Sequence, residues 1–273
     1  MNKLRLAGPI WLASDIHLGP QTPATQRVFH AFLDQARTQA DSLLLCGDVF
    51  DAWIGDDLAL NAPPSWLAQT LQKLNQVATT IPLWLGRGNR DFLMGPQLAQ
   101  HLGARLLPDT CCLVTDFGDI LLSHGDEYCT DDHAYQRFRR IVRNPVVQRL
   151  FLSLNLNLRR KIAQWARSRS MAANHDKSMH IMDVAPHTIA HAFNASGIHM
   201  MVHGHTHRPA IHSVQIGAQS CTRIVLPDWD YDHAQPPRGG WLCINQSGAQ
   251  FSYPPGSASM TPDRFNLPET HHR

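Results

Sequence analysis

An α/β layered fold is what this 273-residue sequence predicts. Three observations carry that expectation. Short apolar runs of strand length recur along the chain, amphipathic helical stretches separate them, and each run stops at an acid, an amide or a histidine. Open α/β sheets carry their chemistry at such strand ends. Hydrophobic residues make up 43% and charged residues 17%, a globular rather than disordered balance. The length suits one large domain, or one domain with an insertion, and buries a core without covalent staples.

The first run, IWLASD (10–15), reads as a buried strand ending in an acid. A helix follows, with Val28, Phe29, Phe32 and Leu33 on one face. SLLLCGD (42–48) is the second strand. PPSWLAQTLQKLNQVA (63–78) opens on proline and places Trp66, Leu67, Leu71, Leu74 and Val77 at helical spacing. IPLWLGRGN (81–89), ILLSHGD (120–126) and GIHMMVHGH (197–205) are three further strands. The tail after residue 252 is rich in Pro, Ser and Thr and is expected to be mobile. No internal repeat or low-complexity tract occurs.

The six cysteines, Cys46, Cys111, Cys112, Cys129, Cys221 and Cys243, form no C-x-x-C pair and are expected to be reduced and buried in a cytosolic chain. The N-terminus lacks the apolar stretch of a cleaved signal. No apolar run approaches the ~20 residues of a membrane span.

The chemistry gathers in five short motifs: DIH (15–17), GDVFD (47–51), GNRD (88–91), HGDE (124–127) and GHTH (204–207). Any one of them alone is unremarkable, since G-N-R-D alone reads as a turn. Their conjunction, each at a strand end, gives seven candidate metal ligands: Asp15, His17, Asp48, Asn89, His124, His205 and His207. In an extended segment residues i and i+2 point the same way. Asp15 and His17 are therefore expected to grip one ion together, and His205 and His207 likewise. Mixed carboxylate and imidazole donors suit Mn²⁺, Zn²⁺ or Fe. Seven ligands are too many for one tetrahedral ion and suit two, with Asp48 the natural bridge. Such a pair, ~3.5–4 Å apart, clamps a phosphoryl group for in-line displacement. His203 lies inside its apolar run and is expected to pack behind the ligands. Asp51, Asp91 and Asp126 are expected to support ligands or cap loops.

This ordered set resembles the calcineurin-like metallophosphoesterases. The resemblance implies a two-sheet αββα sandwich. It assigns Asp15, His17 and His207 to one ion and Asn89, His124 and His205 to the other, bridged by Asp48. Where that family usually has His after Gly-Asn, this chain has Arg90. Arginine cannot serve as a general acid but neutralises phosphate charge bidentately, which fits a leaving group already stable as an anion. Cleavage of a pyrophosphate follows.

The stretches GNRDF, HGDEYCTDDHAYQ, NHDKSMHIMDV and HGHTHRPA narrow the resemblance to the UDP-2,3-diacylglucosamine diphosphatases of lipid A biosynthesis. That implies an acylated UDP-sugar substrate, two divalent ions (Mn²⁺), and substrate contacts from Asn89, Arg90, Asp132, Ser170, Asn174, Lys177 and His205. Arg90 and Asp48 are the residues expected to carry catalysis. It further implies a cytoplasmic protein, peripheral on the cytoplasmic face of the inner membrane, with no obligate protein partner.

The net charge of +2 hides an asymmetry: residues 133–177 hold eleven Lys or Arg and a single acid, Asp176. Val147, Phe151, Leu154, Leu158, Ile162 and Trp165 recur there at helical spacing, and Pro145, Asn155 and Asn157 suggest two short helices. The expectation is a basic helical lid (131–179), with an apolar face for acyl chains and a basic rim for an anionic membrane. It is inserted into a core made of 1–130 and 180–252. The plain alternative is a stripe packed on the core. A general nucleotide or dinucleoside polyphosphate pyrophosphatase would share the metal site without needing the lid. A nucleic-acid-binding protein would use the basic segment, but no RNP-type aromatic run or helix-turn-helix pattern is present, and no nucleic-acid partner is expected.

Overall fold

Strands buried on both faces read as continuous apolar runs, and this is how the central strands are placed. The structure, a computed structural model, describes residues 1–175, 183–258 and 264–265, with the side chains of 169–175 and 264–265 left out. Its strands are β1 (Asn2–Arg5), β2 (Ile10–Ala13), β3 (Ser42–Cys46), β4 (Leu83–Gly86), β5 (Arg105–Leu106), β6 (Thr110–Thr115), β7 (Gly118–Ser123), β8 (Met200–His203), β9 (Ala210–Ile216), β10 (Gln219–Val225), β11 (Trp241–Asn245), β12 (Gly248–Ser252) and β13 (Arg264–Phe265). Its helices are α1 (Pro23–Gln39), α2 (Asp57–Asn61), α3 (Ser65–Ala78), α4 (Pro96–Leu102), α5 (His133–Val142), α6 (Pro145–Leu152), α7 (Leu156–His175) and α8 (Pro186–Ser196).

Two mixed sheets form, ordered β1-β6-β7-β8-β10-β9 and β13-β12-β11-β2-β3-β4-β5. Strand alternation sorts side chains between layers. Ile10, Leu12, Leu44, Ile120, Leu122, Met200, Val202, Leu242 and Ile244 fill the space between the sheets. Trp11, Ala13, Leu43 and Leu45 face the other way, onto a layer holding Phe29, Phe32 and Leu33 of α1 and Leu67, Leu71 and Leu74 of α3. Behind the six-stranded sheet, Leu121 and Met201 pack with Ile189 and Phe193 of α8. This is the αββα sandwich that the resemblance implies.

The helix starts are fixed over long range. Pro23 opens α1, and the Asp232 carboxylate accepts from Ala24 N (2.9 Å), Thr25 N (2.9 Å) and Thr25 Oγ1 (2.8 Å). Asp56 does the same for α4 through Gly95 N and Leu98 N. These bonds satisfy first-turn N–H groups that have no partner within the helix.

The insertion between β7 and α8 differs from its expected form. It is three helices, α5 to α7, and α7 runs for 20 residues rather than a short span. The break at 153–155 splits the apolar stripe between α6 and α7. Phe151 packs against the core layer, whereas Val147, Leu150, Leu158, Ile162 and Trp165 are exposed, as are Phe138 and Ile141 on α5. The even basic rim is also corrected, because several bases are used internally. Arg139 binds Asp126 at 2.6 Å, Arg143 donates to Gly88 O at 3.0 Å, and Arg167 pairs with Asp51. Arg159, 3% exposed, donates to Ile54 O at 2.5 Å and forks onto Asp57. Arg137, Arg140, Arg149, Arg160 and Lys161 remain on the surface.

The C-terminal segment begins where β12 ends. There Tyr231 hydrogen-bonds Ser257, Ala258 N donates to Pro237 O at 2.9 Å, and β13 pairs with β12. The rest of that segment lies outside the described residues.

Arg159→Leu is expected to loosen the insertion. It leaves the Ile54 carbonyl without its donor and Asp57 without its ion pair, a loss of about 1–3 kcal/mol. Native-state hydrogen exchange should show faster exchange in α6 and α7 with the sheets unchanged. Equal protection in both proteins would show that Arg159 is no anchor.

Candidate metal centre

The seven expected ligands converge at one edge of the sandwich, each just beyond the C-terminal end of β2, β3, β4, β7 or β8. They reach it by a backbone route different from the extended one that residue spacing suggests. Asp15 (φ 56°), His17 (φ 52°), Asp48 (φ 53°), His205 (φ 67°) and His207 (φ 53°) are all left-handed, and they are the non-glycine residues with positive φ among those described. Asp15 and His17 come together because their loop winds back on itself, whereas His205 and His207, expected to grip one ion together, part: His207 joins Asp15 and His17, and His205 turns to Asn89. Left-handed residues other than glycine are strained and persist only where the surroundings fix them.

The fixing bonds are present. Asp15 N donates to Gly47 O (3.1 Å), His17 N to Asp48 O (2.9 Å) and Trp229 N to Asp15 O (3.0 Å). The buried Asp91 carboxylate accepts from Asp48 N (3.2 Å), Val49 N (2.8 Å) and Gly88 N (2.8 Å), tying two ligand loops together. Gly88 admits no side chain, since a Cβ there would lie 2.0 Å from Asp48 Oδ1.

Both buried aspartates divide their oxygens. Asp48 Oδ1 accepts from Arg90 N at 2.7 Å, while Oδ2 lies 3.9 Å from His17 Nδ1 and 3.7 Å from His124 Nε2. Asp15 Oδ2 accepts from His205 N at 2.9 Å, while Oδ1 is buried with no hydrogen-bond partner, 3.5 Å from His207 Nε2 and 3.9 Å from His17 Nε2. Asn89 Oδ1 lies 3.2 Å from His124 Nε2 and 2.8 Å from His205 Nδ1. His17 and His207 face each other, Nε2 to Nε2, at 3.1 Å. An unpaired carboxylate oxygen between two converging imidazole nitrogens fits a divalent cation. Donor atoms gather as Asp15, His17 and His207, and as Asp15, Asp48 and His124. Asp48 reaches histidines of both expected groups, as a bridge requires.

The electrostatics fit as well. Burial pushes Asp48 up to about 7, and pushes His17 down to about 3 and His205 down to about 4. Burial alone would lower His124 and His207 also. The Asp48 and Asp15 carboxylates raise His124 to about 9, and Asp15 and Asp228 raise His207 to about 10. Without a cation, protonated His124 and His207 supply the positive charge.

The supporting residues are partly those expected. His203 is fully buried, Asp91 binds ligand loops, and Asp126 accepts from Tyr135 Oη and Arg139 Nε. Asp228 and Tyr135 escape the sequence reading. Asp228 Oδ2 lies 3.5 Å from His207 Nδ1 and ion-pairs with Arg238 at 2.9 Å. Its signal is the same acid-after-strand rule, hidden because Thr222 and Arg223 interrupt the apolar run of β10. The Tyr135 ring stacks on His205 with centroids 5.9 Å apart.

Among the expected substrate contacts, Asn89 and His205 lie in the centre. The Arg90 side chain has no hydrogen-bond or ion-pair partner among the described residues. Asp132 caps α5, accepting from Tyr135 N at 3.0 Å. Ser170 and Asn174 lie on α7 with side chains outside the description, and Lys177 lies outside the described residues.

The calcineurin-like phosphoesterase profile matches residues 8–209, most of the chain and all seven candidate ligands. The chain belongs to that family. It is 56% identical to the UDP-2,3-diacylglucosamine hydrolase of Bordetella parapertussis, over 92% of this chain and 96% of the relative. It is 42% identical to the Stenotrophomonas maltophilia protein of the same name, over 84% of this chain and 94% of that one. The narrower resemblance seen in the sequence is to this same group. A dimetal phosphatase from Danio rerio shares the fold with a TM-score of 0.50 at 11% identity, covering 90% of this chain and 95% of that chain.

Cation binding should release protons. His124 and His207, raised to about 9 and about 10, are protonated at neutral pH without a cation and must lose those protons to ligate. Affinity for Mn²⁺ should therefore fall as pH drops. Calorimetry in two buffers of different ionisation enthalpy should give net proton release near pH 7. Zero release would show that neither ring is displaced from its proton.

Proposed function

We infer that this protein hydrolyses the pyrophosphate bond of UDP-2,3-diacylglucosamine, giving UMP and 2,3-diacylglucosamine 1-phosphate. The observation that carries the reading is the 56% identity over 92% of the chain to a hydrolase of that name. The donor cluster supports it by providing the centre such a reaction needs.

Two divalent ions, when bound, supply Lewis acidity and lower the pKa of the attacking water. Asp15, His17 and His207 would hold one, Asn89, His124 and His205 the other, and Asp48 both. The mixed nitrogen and oxygen donors suit Mn²⁺. His124 is oriented for ligation by Nδ1, which donates to Cys46 O at 3.1 Å and leaves Nε2 facing Asn89 and Asp48. Arg90 is set beside the centre by its own N–H on Asp48. Its guanidinium, without an ion-pair partner among the described residues, neutralises charge on the departing phosphate. Asp132, Ser170, Asn174, Lys177 and His205 contact the rest of the substrate.

Residues 131–179 act as a lid on a core of 1–130 and 180–252. Support comes from the exposed Phe138, Ile141, Val147, Leu150, Leu158, Ile162 and Trp165. They offer the acyl chains an apolar surface, with burial contributing ~0.8 kcal/mol per CH₂. The surface bases beside them meet anionic headgroups at about 1 kcal/mol each, screened by salt. No described helix is long and apolar enough to cross a membrane. We read attachment as peripheral, on the cytoplasmic face of the inner membrane, from the exposed apolar and basic residues of the insertion and the family resemblance, and the reading invokes no obligate protein partner.

The direct test is hydrolysis of a panel: the diacylated UDP-sugar, UDP-glucosamine, a dinucleoside polyphosphate and a phosphodiester, with products identified by mass. The diacylated substrate should be cleaved with the highest kcat/KM. Equal cleavage of UDP-glucosamine would make a general nucleotide pyrophosphatase the better account. Leu150→Asp, at an exposed position, should raise KM for the diacylated substrate far more than for a short-chain analogue.

Arg90→His replaces a charged fork with one weaker contact. The loss of one charge-assisted contact made in the transition state is about 2–4 kcal/mol, or roughly 30- to 1,000-fold in kcat/KM. An unchanged rate would remove Arg90 from the mechanism.

A further inference from the structure

The loop of residues 204–208 carries two ligands, His205 and His207, both left-handed. Asp15 Oδ2 holds its front, through His205 N. Something must also hold its back, where the loop leaves β8.

His203 ends β8 and is 0% exposed. Alternation along β8 turns its ring to the outer face of the six-stranded sheet, away from the inward Met200 and Val202. Its Nδ1 lies 2.8 Å from Gly204 O, its Nε2 3.1 Å from Arg223 Nη1. A carbonyl only accepts and a guanidinium only donates. The ring is therefore the tautomer with hydrogen on Nδ1, donating to Gly204 O and accepting from Arg223 at Nε2. Arg223 shares that face on β10, one register step away: Met201 pairs with Arg223, and His203 with Val225.

The same ring touches a second ligand loop. A Cβ on Gly125 would lie 2.7 Å from His203 Nδ1, so the backbone following His124 passes directly over the imidazole. Gly204 N in turn donates to His124 O at 2.9 Å. At the far end of the loop, Arg208 ion-pairs with Asp183 at 2.9 Å.

We propose that His203 and Arg223 are positioning residues for the metal centre: the imidazole, clamped between Gly204 O and the Arg223 guanidinium, fixes the loop presenting His205 and His207 and seats the backbone after His124. The Arg208–Asp183 pair closes the loop from the other end. Neither His203 nor Arg223 ligates an ion or contacts substrate. Outer partners that orient ligands change metal affinity by about 10- to 100-fold when removed. The proposal rests on the two-ion reading of the site.

The test compares wild type with R223M, R223K and H203N, each purified at full length. Mn²⁺ affinity is measured against a chelator, the Mn²⁺-loaded site by electron paramagnetic resonance, kcat and KM on the diacylated substrate, and stability by urea. R223M should weaken Mn²⁺ binding about 10-fold or more, alter the spectrum, and lower kcat at saturating Mn²⁺ with KM within about twofold. R223K, which retains a donor, should recover most of the affinity. H203N is the folding-tolerant variant. Its amide still donates to Gly204 O and gives up the Arg223 contact, so an intermediate loss is expected. If R223M or H203N shifts only the urea midpoint, with wild-type affinity and spectrum, the proposal is wrong. It is also wrong if lysine fares no better than methionine. Wild type that binds no Mn²⁺ would instead overturn the two-ion reading itself.

Discussion

Two buried carboxylates organise this molecule by dividing their oxygens. One oxygen of Asp48 and one of Asp15 accept a backbone N–H from a neighbouring ligand loop, and the other turns toward imidazole nitrogens. Those bonds connect the loop after β2 to the loop after β8, and the loop after β3 to that after β4. The two sheets must then keep their strand ends in register. The apolar packing between them, from Ile10 to Ile244, serves as the rigid bed for that register. A buried acid left unpaired is costly, so the layout makes sense only with a positive charge at the centre.

The α/β layering was legible in the sequence because its central strands are continuous apolar runs and its helices are apolar on one face; the two-sheet αββα form came from the family resemblance. Each of the five apolar runs became a strand, and each of the seven candidate ligands reached the centre. The strands outside those five runs, interior β6, β10, β11 and β12 among them, were not read. β5 and β13 are two residues each, and the hairpin β9–β10 mixes polar with apolar residues, so no periodicity marks them. The left-handed backbone at Asp15, His17, Asp48, His205 and His207 was hidden for another reason. Nothing in an Asp or His codes for positive φ, and the surrounding tertiary bonds impose it. Asp228 was missed because Arg223 interrupts the run before it, and Arg223 is there to face His203.

The insertion shows how a charge count misleads when partners lie elsewhere in the sequence. By sequence alone, Arg139, Arg143, Arg159 and Arg167 read as part of one solvated basic face. In space they meet Asp126, Asp109, Asp57 and Asp51, acids from the core. These bonds fasten the helices to the core and leave Phe138, Ile141, Val147, Leu150, Leu158, Ile162 and Trp165 outward, while Phe151 packs inward. That is the reverse of the usual arrangement, in which charge faces water and carbon faces protein.

The reach of Asp232 has a consequence for the order in which the chain takes shape during synthesis. Its carboxylate completes the first turn of α1, which follows directly after Asp15 and His17. The earliest ligands to emerge from the ribosome thus have their adjoining helix unfinished until residue 232 has followed, and their partner His207 is itself a late arrival. Contacts of such long sequence separation are slow to form. A nascent chain accordingly carries Asp15, His17 and Asp48, just past the ends of the paired β2 and β3, well before His205 and His207. The full set of donors is assembled only once the chain has reached His207, three quarters of the way along the sequence.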